Sequence, residues 1–195
     1  MFLENPAYNN EQFGWIEVIC GSMFSGKTEE LIRRIKRAEI ANQKVKVFKP
    51  LIDLRSKNFI ESHDDTKLKC IEVKSSNEIL NKLNDSDVIA IDEAQFFDDQ
   101  IVMVCNKIAN SGIRVIVAGL DMDYLGNPFG PMPNLMAISE YVTKVHAICK
   151  KSGNIANYSY RKNNRKDLVV IGEKDKYEPL SRSVFNEKMN KNKKI

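Results

Sequence analysis

The sequence has few cysteines and no Cys-x-x-Cys pair. The four cysteines stand at positions 20, 70, 105 and 149, and this spacing does not suggest a disulfide framework. Three of them lie in or beside apolar runs, where a thiol behaves as a small packed hydrophobe. We therefore expect reduced, packed cysteines.

Long hydrophobic runs are also missing. No stretch approaches the roughly 18 uninterrupted apolar residues of a membrane-spanning helix. The first 14 residues, "MFLENPAYNNEQFG", have neither a basic start nor an apolar segment of the kind found in signal peptides. The sequence thus predicts a cytoplasmic protein without a membrane partner.

The body of the chain carries little net charge. The last ten residues hold four lysines against one glutamate, so most of the net charge of +4 lies there. A lysine-rich end is more often a solvated tail than a nucleic-acid-binding arm. We expect a basic tail over residues 186–195 and no nucleic-acid partner.

Apolar runs that favour strands alternate with helical patterns along the rest of the chain. The strand-like runs are 15–20, 45–49, 87–92, 113–119 and 144–149, and the helical patterns are 27–42, 76–83, 99–112 and 134–141. Continuous apolar strands alternating with helices are typical of a parallel sheet covered on both faces. The predicted fold class is therefore α/β.

Two segments depart from this alternation. Residues 51–69 are mostly polar and predict a mobile loop. After residue 145 the sequence holds only short β-like pieces, at 156–161 and 168–172, which indicate a small β lobe or lid. The expected organisation is an N-terminal extension (1–14), an α/β domain (15–145), a small lobe (146–185) and the basic tail (186–195).

The segment "GSMFSGKT" (21–28) fits the pattern G-x-x-x-x-G-K-[ST] at every position. A strand-like run precedes it and a helical pattern follows it, as a phosphate-binding loop requires. Its backbone N–H groups and the helix N-terminus bind phosphates, while Lys27 reaches the β- and γ-phosphates and Thr28 is placed to bind Mg²⁺. This segment predicts binding of a nucleoside triphosphate with Mg²⁺.

A second acidic element follows a buried strand in "VIAIDEAQFF" (88–97). The run 88–91 ends at Asp92 and Glu93, at the edge where open α/β sheets bind ligands. One carboxylate there is suited to orienting Mg²⁺ and the other to accepting a proton.

Other nucleotide-binding classes fit less well. A GTPase normally carries an N-K-x-D element, and the nearest string, "NKLND" (81–85), has one residue too many. A motor acting on nucleic acid would need a larger chain and a basic body.

Four motifs together resemble the cellular-type thymidine kinase family. They are "GSMFSGKT" (21–28), "DEAQFF" (92–97), "GLDMDYLGNPFGPMP" (119–133) and "DKYEPL" (175–180). Their order and spacing match the family over roughly residues 15–185. The resemblance implies an α/β fold with a P-loop parallel sheet flanked by helices, and a small C-terminal lasso lobe.

The resemblance also implies catalytic roles. Glu93 resembles the general base that takes the proton of the nucleoside 5′-hydroxyl, Lys27 would neutralise developing charge, and Arg55 in the D-x-R motif would close over the phosphates. Thr28 and Asp92 would position Mg²⁺. The implied ATP-binding residues are Gly21, Ser22, Met23, Phe24, Ser25, Gly26, Lys27, Thr28, Asp92, Glu93, Ala94 and Gln95.

For the nucleoside, the family uses a lasso-like loop with mostly main-chain hydrogen bonds, here about residues 150–182. Ser159 stands where a threonine is common, which removes one methyl group from the base pocket. Without the resemblance, the aromatic residues of this set would equally suit core packing. The implied nucleoside-binding residues are Met23, Phe96, Leu120, Tyr124, Phe129, Ser159, Val170, Gly172 and Tyr177.

The sequence departs from the family at its usual four-cysteine zinc site. Cys149 is present, but Ser152, Ser181 and Val184 stand where further cysteines belong. One thiolate cannot hold a structural zinc, so we expect none.

The resemblance implies ATP-dependent phosphorylation of thymidine, and of deoxyuridine, for nucleotide salvage and DNA synthesis. It also implies a homotetramer inhibited by thymidine triphosphate (dTTP). Two alternatives stay open at this point: a deoxynucleoside kinase of broader specificity, and a P-loop switch or regulatory ATPase without a small-molecule acceptor.

Overall fold

A computed structural model describes residues 14–53, 57–61, 66–162 and 176–192. The strands are β1 (Ile16–Cys20), β2 (Val45–Pro50), β3 (Phe59–Glu61), β4 (Lys67–Lys69), β5 (Ile71–Val73), β6 (Val88–Ile91), β7 (Arg114–Gly119), β8 (Tyr141–Lys144), β9 (Ala147–Ile148), β10 (Ile155–Ala156), β11 (Tyr158–Arg161) and β12 (Tyr177–Leu180). The helices are α1 (Lys27–Ile40), α2 (Asn77–Leu80), α3 (Gln100–Asn110), α4 (Met132–Ile138) and α5 (Arg182–Asn192).

Six strands form one parallel sheet in the order β5-β2-β6-β7-β1-β8. β1 and β6 are buried along their whole length, and β7 is buried after its first residue. Strands buried on both faces carry continuous rather than alternating apolar runs. The predicted α/β class with a central parallel sheet is therefore confirmed.

The two faces of the sheet have separate apolar layers. Helix α1 covers one face through Leu31, Ile32, Ile35 and Ala38, whose spacing places them on one side of the helix. Helices α3 and α4 cover the other face, where Ile101, Ile108 and Leu135 are fully buried. Since both faces are covered, ligands reach the sheet mainly at its strand ends.

Three predicted elements were wrong or too long. The run 144–149 is not one strand, because the sheet strand β8 ends at Lys144 and Ala147–Ile148 belongs to a separate pair with β10. The helix expected over 134–141 ends at Ile138, and Tyr141 already belongs to β8. The helical pattern at 76–83 gives only Asn77–Leu80. The β8 strand was missed because it is an edge strand with alternating exposure instead of a buried run.

Other elements were not predicted. The polar segment 51–69 contains the antiparallel pair β3–β4, and the following strand β5 extends the sheet beside β2. The basic end, expected as a solvated tail, begins as helix α5. Phe185 of this helix stacks on Tyr158 with ring centroids 4.4 Å apart, so tertiary packing holds the helix in place.

Residues 147–162 and 176–192 form what we call the C-terminal lobe. Its core consists of Ala147, Cys149, Ala156, Tyr158, Leu180 and Phe185. The lobe contains the strand pairs β9–β10 and β11–β12 and helix α5. The β-like piece expected at 168–172 lies outside the described residues. In the described part of the chain, no helix has both the length and the hydropathy to cross a membrane.

Candidate active site

The 21–28 loop connects the end of β1 to the start of α1. Gly21 has φ 147°, and a Cβ atom there would lie 2.1 Å from the carbonyl oxygen of Val145. Only glycine fits this backbone and this approach. The loop then enters α1 through Gly26, with φ 85°, and the first turn of the helix carries Glu29 and Glu30.

The side chains of the loop fold back on the Ser22 carbonyl. Lys27 Nζ and Ser25 Oγ each donate a hydrogen bond to that oxygen, over 2.7 Å in both cases. Lys27 is buried, so its ammonium group lies within the curve of the loop instead of pointing into solvent. A buried cation inside a turn of backbone is suited to binding an anion.

The loop also contacts the C-terminal lobe. Ser22 Oγ donates to the Ala156 carbonyl over 3.0 Å, and the Met23 N–H donates to Ser159 Oγ over 2.9 Å. Phe24, with φ 63°, packs against the core of the lobe. The C-terminal lobe and the 21–28 loop therefore lie against each other.

Asp92 and Glu93 follow β6 at the same edge of the sheet. The Asp92 N–H donates to the Phe48 carbonyl over 2.9 Å, which continues the pairing with β2 and fixes this residue. Its carboxylate accepts hydrogen bonds from the Thr28 hydroxyl, 3.3 Å away, and from the Glu93 N–H, 2.9 Å away. Both acidic residues are buried.

Glu93 is hydrogen-bonded to Gln95 through its carboxylate. Its backbone is left-handed, with φ 53° and ψ 40°, a conformation that costs about 1 kcal/mol or more in a residue with a side chain. Gln95 Nε2 donates to Glu93 Oε2 over 2.5 Å, and Gln95 Oε1 accepts from the Leu120 N–H over 2.9 Å. Ala94, which lies between Glu93 and Gln95 in the sequence, is buried in the core.

Aromatic side chains line the region beyond Leu120. Phe96 and Phe129 meet edge to face with centroids 5.7 Å apart, and Phe129 is buried. The Arg161 guanidinium lies 3.6 Å from the centroid of the Tyr124 ring, and Arg161 also donates to the Tyr177 hydroxyl over 3.2 Å. The structure thereby brings Tyr124 and Tyr177, far apart in sequence, to the two sides of one buried cation.

Several residues of this region were not found by sequence reasoning. Arg161 is one, since its two aromatic partners come from different parts of the chain. Another is Lys49, which is fully buried at the end of β2 with Asp53 and Glu72 carboxylate oxygens 3.7 and 3.5 Å away. A lysine near a strand end indicates a functional site only if it is buried, and the sequence does not show which lysines are buried.

The base of the 21–28 loop carries a further ion pair. Lys144 Nζ lies 2.7 Å from Asp121 Oδ2, and this pair joins the segments that follow β7 and end β8. Burial raises the pKa of the neighbouring Cys20 thiol to about 11, and the Asp121 carboxylate adds to the rise. Cys20 is therefore a protonated packing residue beside the loop.

Serine hydroxyls surround Cys149 in the C-terminal lobe. The Ser152 hydroxyl donates to Ser181 Oγ over 3.0 Å, next to the thiol. Burial raises the pKa of Cys149, but hydrogen bonds from Ser152 and Ser181 lower it more, to about 6. All four cysteines of the chain are free. Within the described ranges, no three His, Cys, Asp or Glu side chains are grouped as metal ligands.

Most residues in the predicted site lie in the described regions. The structure brings together the 21–28 loop, the segment 92–96, the residues Leu120, Tyr124 and Phe129, and the lobe residues Ser159 and Tyr177. The predictions for Arg55, Val170 and Gly172 fall outside the described residues.

Comparison with known proteins identifies the family of this chain. A family model described as thymidine kinase matches residues 14–185. The chain is 53% identical over 186 residues to a thymidine kinase of Bacteroides thetaiotaomicron, covering 95% of this chain and 94% of the relative. It is 56% identical over 173 residues to one of Rhodothermus sp., covering 88% and 81%, and 49% identical over 184 residues to one of Porphyromonas gingivalis, covering 94% and 90%. The chain therefore belongs to the thymidine kinase family.

Proposed function

We propose that this chain transfers the γ-phosphoryl group of ATP to the 5′-hydroxyl of thymidine. The observation that carries the proposal is that the neighbouring carboxylates of Asp92 and Glu93 have different hydrogen-bond partners. The Asp92 carboxylate faces Thr28 in the 21–28 loop, whereas the Glu93 carboxylate faces Gln95 and, through it, Leu120. Two adjacent carboxylates thus serve two substrates, a nucleotide on one side and a nucleoside on the other.

The nucleotide side is the 21–28 loop acting as a P-loop. Its backbone N–H groups and the N-terminus of α1 hold the phosphates, and Lys27 balances their charge from inside the loop. Arg55 closes over the phosphates in this proposal, as the family resemblance implies. The remaining ATP contacts come from the loop and from the segment 92–94.

The residues that would hold Mg²⁺ are Thr28 and Asp92. Their side-chain oxygens lie 3.3 Å apart at the entrance to α1, and hydroxyl and carboxylate oxygens are the donors that Mg²⁺ prefers. Bound there, the ion supplies neutralisation of the charge on the β- and γ-phosphates.

Glu93 is the general base. Its carboxylate accepts the proton of the 5′-hydroxyl as that oxygen bonds to the γ-phosphorus and the bond from phosphorus to the ADP oxygen breaks. Phosphoryl transfer depends mainly on alignment and charge stabilisation, so the buried, hydrogen-bonded setting of this carboxylate suits the task.

The nucleoside lies between the aromatic side chains and the C-terminal lobe. Phe96 and Phe129 form the apolar floor, and Ser159 and Tyr177 contribute from the lobe. Deoxyuridine, which lacks only the 5-methyl group, is also a substrate, and purine nucleosides are rejected by size. The proposed contacts are Met23, Phe96, Leu120, Tyr124, Phe129, Ser159, Val170, Gly172 and Tyr177.

Further proposals about domains, assembly and regulation rest on family membership. We propose a P-loop domain over residues 15–145 and a nucleoside-binding lobe over 146–185, in a cytoplasmic homotetramer that dTTP inhibits. The product, thymidine monophosphate (dTMP), feeds DNA synthesis by salvage.

The test is dTMP formation from ATP, Mg²⁺ and thymidine by the intact protein and by Glu93→Gln. We expect turnover by the intact protein and a loss of about 10²-fold or more in kcat for the variant, because the amide cannot accept the proton. The matched control is Glu39→Gln on the exposed face of α1, which should keep full activity.

The absence of product from a folded protein that binds ATP would overturn the proposal and favour a regulatory ATPase. Full activity of Glu93→Gln would overturn the role of Glu93 as the general base. Competition by deoxycytidine or deoxyadenosine at thymidine-like concentrations would instead assign a broader deoxynucleoside kinase.

A further inference from the structure

Gln95 is buried and both ends of its amide are hydrogen-bonded. Only 3% of the residue is exposed. The Leu120 N–H can only donate, so the amide oxygen must face it, and the amide nitrogen must therefore face Glu93 Oε2. The orientation of this amide is fixed by its neighbours' chemistry, and its donor is committed to the Glu93 carboxylate.

The space around Gln95 is shaped for this side chain. A Cβ atom on Gly119 would lie 2.9 Å from Gln95 Oε1 and 2.5 Å from the sulfur of Met132. A Cβ atom on Gly130 would lie 2.5 Å from the Gln95 carbonyl oxygen. The absence of a side chain at Gly119 thus leaves room for the Gln95 amide, and its absence at Gly130 leaves room for the Gln95 main chain.

Glu93 needs a hydrogen-bond partner that restrains its carboxylate. It has a left-handed backbone, and a flexible side chain on that backbone has several rotamers. Its N–H is bonded to Asp92 Oδ1, which fixes the main chain but leaves the carboxylate to other partners. The hydrogen bond from Gln95 restrains the carboxylate itself.

We infer that Gln95 is a positioning residue for the phosphoryl transfer, and that it acts through Glu93. Its amide holds the Glu93 carboxylate at a set place relative to Leu120, which borders the proposed nucleoside pocket. Gln95 thereby belongs to the alignment of the acceptor hydroxyl, and not to the ATP contacts with which the sequence grouped it. This inference rests on the proposed function, because it requires Glu93 to be the base.

Hydrogen bonds link the two substrate sides through this residue. The Thr28 hydroxyl bonds to Asp92, the Asp92 carboxylate bonds to the Glu93 N–H, and the Glu93 carboxylate bonds to Gln95, which bonds to Leu120. In a series of linked hydrogen bonds, loss of one side chain changes the geometry of the residue to which it was bonded. Loss of Gln95 should therefore lower kcat more than it weakens ATP binding.

The experiment is a double-mutant cycle between Gln95→Met and Glu93→Gln. Gln95→Met keeps the volume and removes both hydrogen bonds; we expect kcat to fall about 10- to 30-fold with the KM for ATP changed less than about 2-fold. In the Glu93→Gln background the same change should alter kcat by less than about 2-fold, because the group it positions is already gone.

The control is Gln100→Met, the same substitution on the exposed first turn of α3, which should leave kcat unchanged. A second variant, Gln95→Glu, keeps an acceptor for the Leu120 N–H but sets a carboxyl group against Glu93. We expect its loss of kcat to be at least as large as that of Gln95→Met. This variant also supports the test if the methionine variant does not fold.

The outcomes separate the two proposals. Full kcat in Gln95→Met, near-normal kcat in Gln95→Glu, or additive losses in the double variant would overturn the role of Gln95, while a large loss in Glu93→Gln alone would leave the proposed function standing. Full activity of Glu93→Gln would overturn the role of Glu93 as the base and the inference with it, whereas absence of product from the intact protein would overturn the proposed function itself.

Discussion

The Met23 N–H donates a hydrogen bond to Ser159 Oγ over 2.9 Å, although the two residues are 136 positions apart. Ser22, the preceding residue, is bonded to the Ala156 carbonyl. These two bonds join adjacent residues of the 21–28 loop to two residues of the C-terminal lobe that are three positions apart. In the proposed kinase, the wall that binds phosphates and the wall that binds the nucleoside are therefore directly connected.

Removing the Ser159 hydroxyl should weaken this connection. Ser159→Ala leaves the Met23 N–H without its acceptor, at a cost of about 1–2 kcal/mol. We expect kcat/KM for thymidine to fall about 5- to 20-fold in steady-state assays. Ser111→Ala is the control, since that hydroxyl bonds only to the Ile108 carbonyl at the end of α3. Unchanged kcat/KM in Ser159→Ala would show that the bond has no functional weight.

Arg161 should matter for thymidine and not for ATP. Arg161→Met removes the cation from the Tyr124 ring and the donor from the Tyr177 hydroxyl. We expect the KM for thymidine to rise about 10-fold, since a stacked, hydrogen-bonded guanidinium contributes about 1–2 kcal/mol. Lys188→Met, which removes a cation from the Tyr160 ring, is the matched control. Equal effects on the KM values of ATP and thymidine would contradict this role.

The buried Glu17 should stabilise the sheet without serving catalysis. It is 1% exposed and pairs with Arg34 over 2.6 Å and with Arg114 over 2.7 Å. Glu17→Gln removes the buried negative charge that faces both guanidinium groups, and although Arg34 keeps its ion pair with Glu30, Arg114 loses its carboxylate partner. We therefore expect the free energy of unfolding in urea to fall by about 3 kcal/mol. The exposed control Glu187→Gln, which loses a surface pair with Lys191, should leave the free energy of unfolding nearly unchanged.

The stability difference between the intact protein and Glu17→Gln should depend on pH. Burial raises the pKa of Glu17, but hydrogen bonds from Arg114 and Trp15 outweigh it, and the net pKa lies below 4.5. A carboxyl whose pKa is lowered by folding stabilises the protein above its unfolded value and loses that contribution as pH falls through the folded value. The difference between the intact protein and Glu17→Gln should be constant from pH 6 to 8 and shrink below about pH 4.5. A difference that grows on acidification would contradict the sign.

Cys149 should make the free energy of unfolding depend on pH in a range above that of Glu17. Its pKa falls from an ordinary 9.0 to about 6, because hydrogen bonds outweigh the effect of burial. The thiolate contribution is complete above pH 9 and is lost as pH falls toward 6. Unfolding in urea should therefore show the intact protein losing stability relative to Cys149→Ala between pH 9 and pH 6. A gap that does not vary over this range would rule out the ionised thiol.

Zinc should be dispensable. Ser152 and Ser181 are hydrogen-bonded to each other beside Cys149, and neutral hydroxyls are poor zinc ligands. We expect well below one equivalent of zinc by metal analysis of the purified protein, and an unchanged melting temperature after dialysis against a chelator. One bound equivalent, or a large chelator-induced loss of stability, would show that the lobe is closed by a metal.

Sequence patterns located most of the sheet and most of the proposed site. β1, β2, β6 and β7 lie where the apolar runs predicted them, because a strand buried on both faces leaves a continuous apolar signal. β8 and β12 were not predicted, because neither strand carries a continuous buried run. Helix α5 escaped because its stability comes from packing Phe185 on Tyr158.

Local spacing in the chain was sufficient for two features: the glycine loop that opens α1, and the pair Asp92 and Glu93 at the end of β6. Both depend on residues that are neighbours along the backbone. Folding in three dimensions decided which partner each side chain meets. It paired Met23 with Ser159, placed Arg161 between Tyr124 and Tyr177, and turned Gln95 toward Glu93 and Leu120. These contacts join distant segments, so their geometry exists only once the sheet and the C-terminal lobe are packed together.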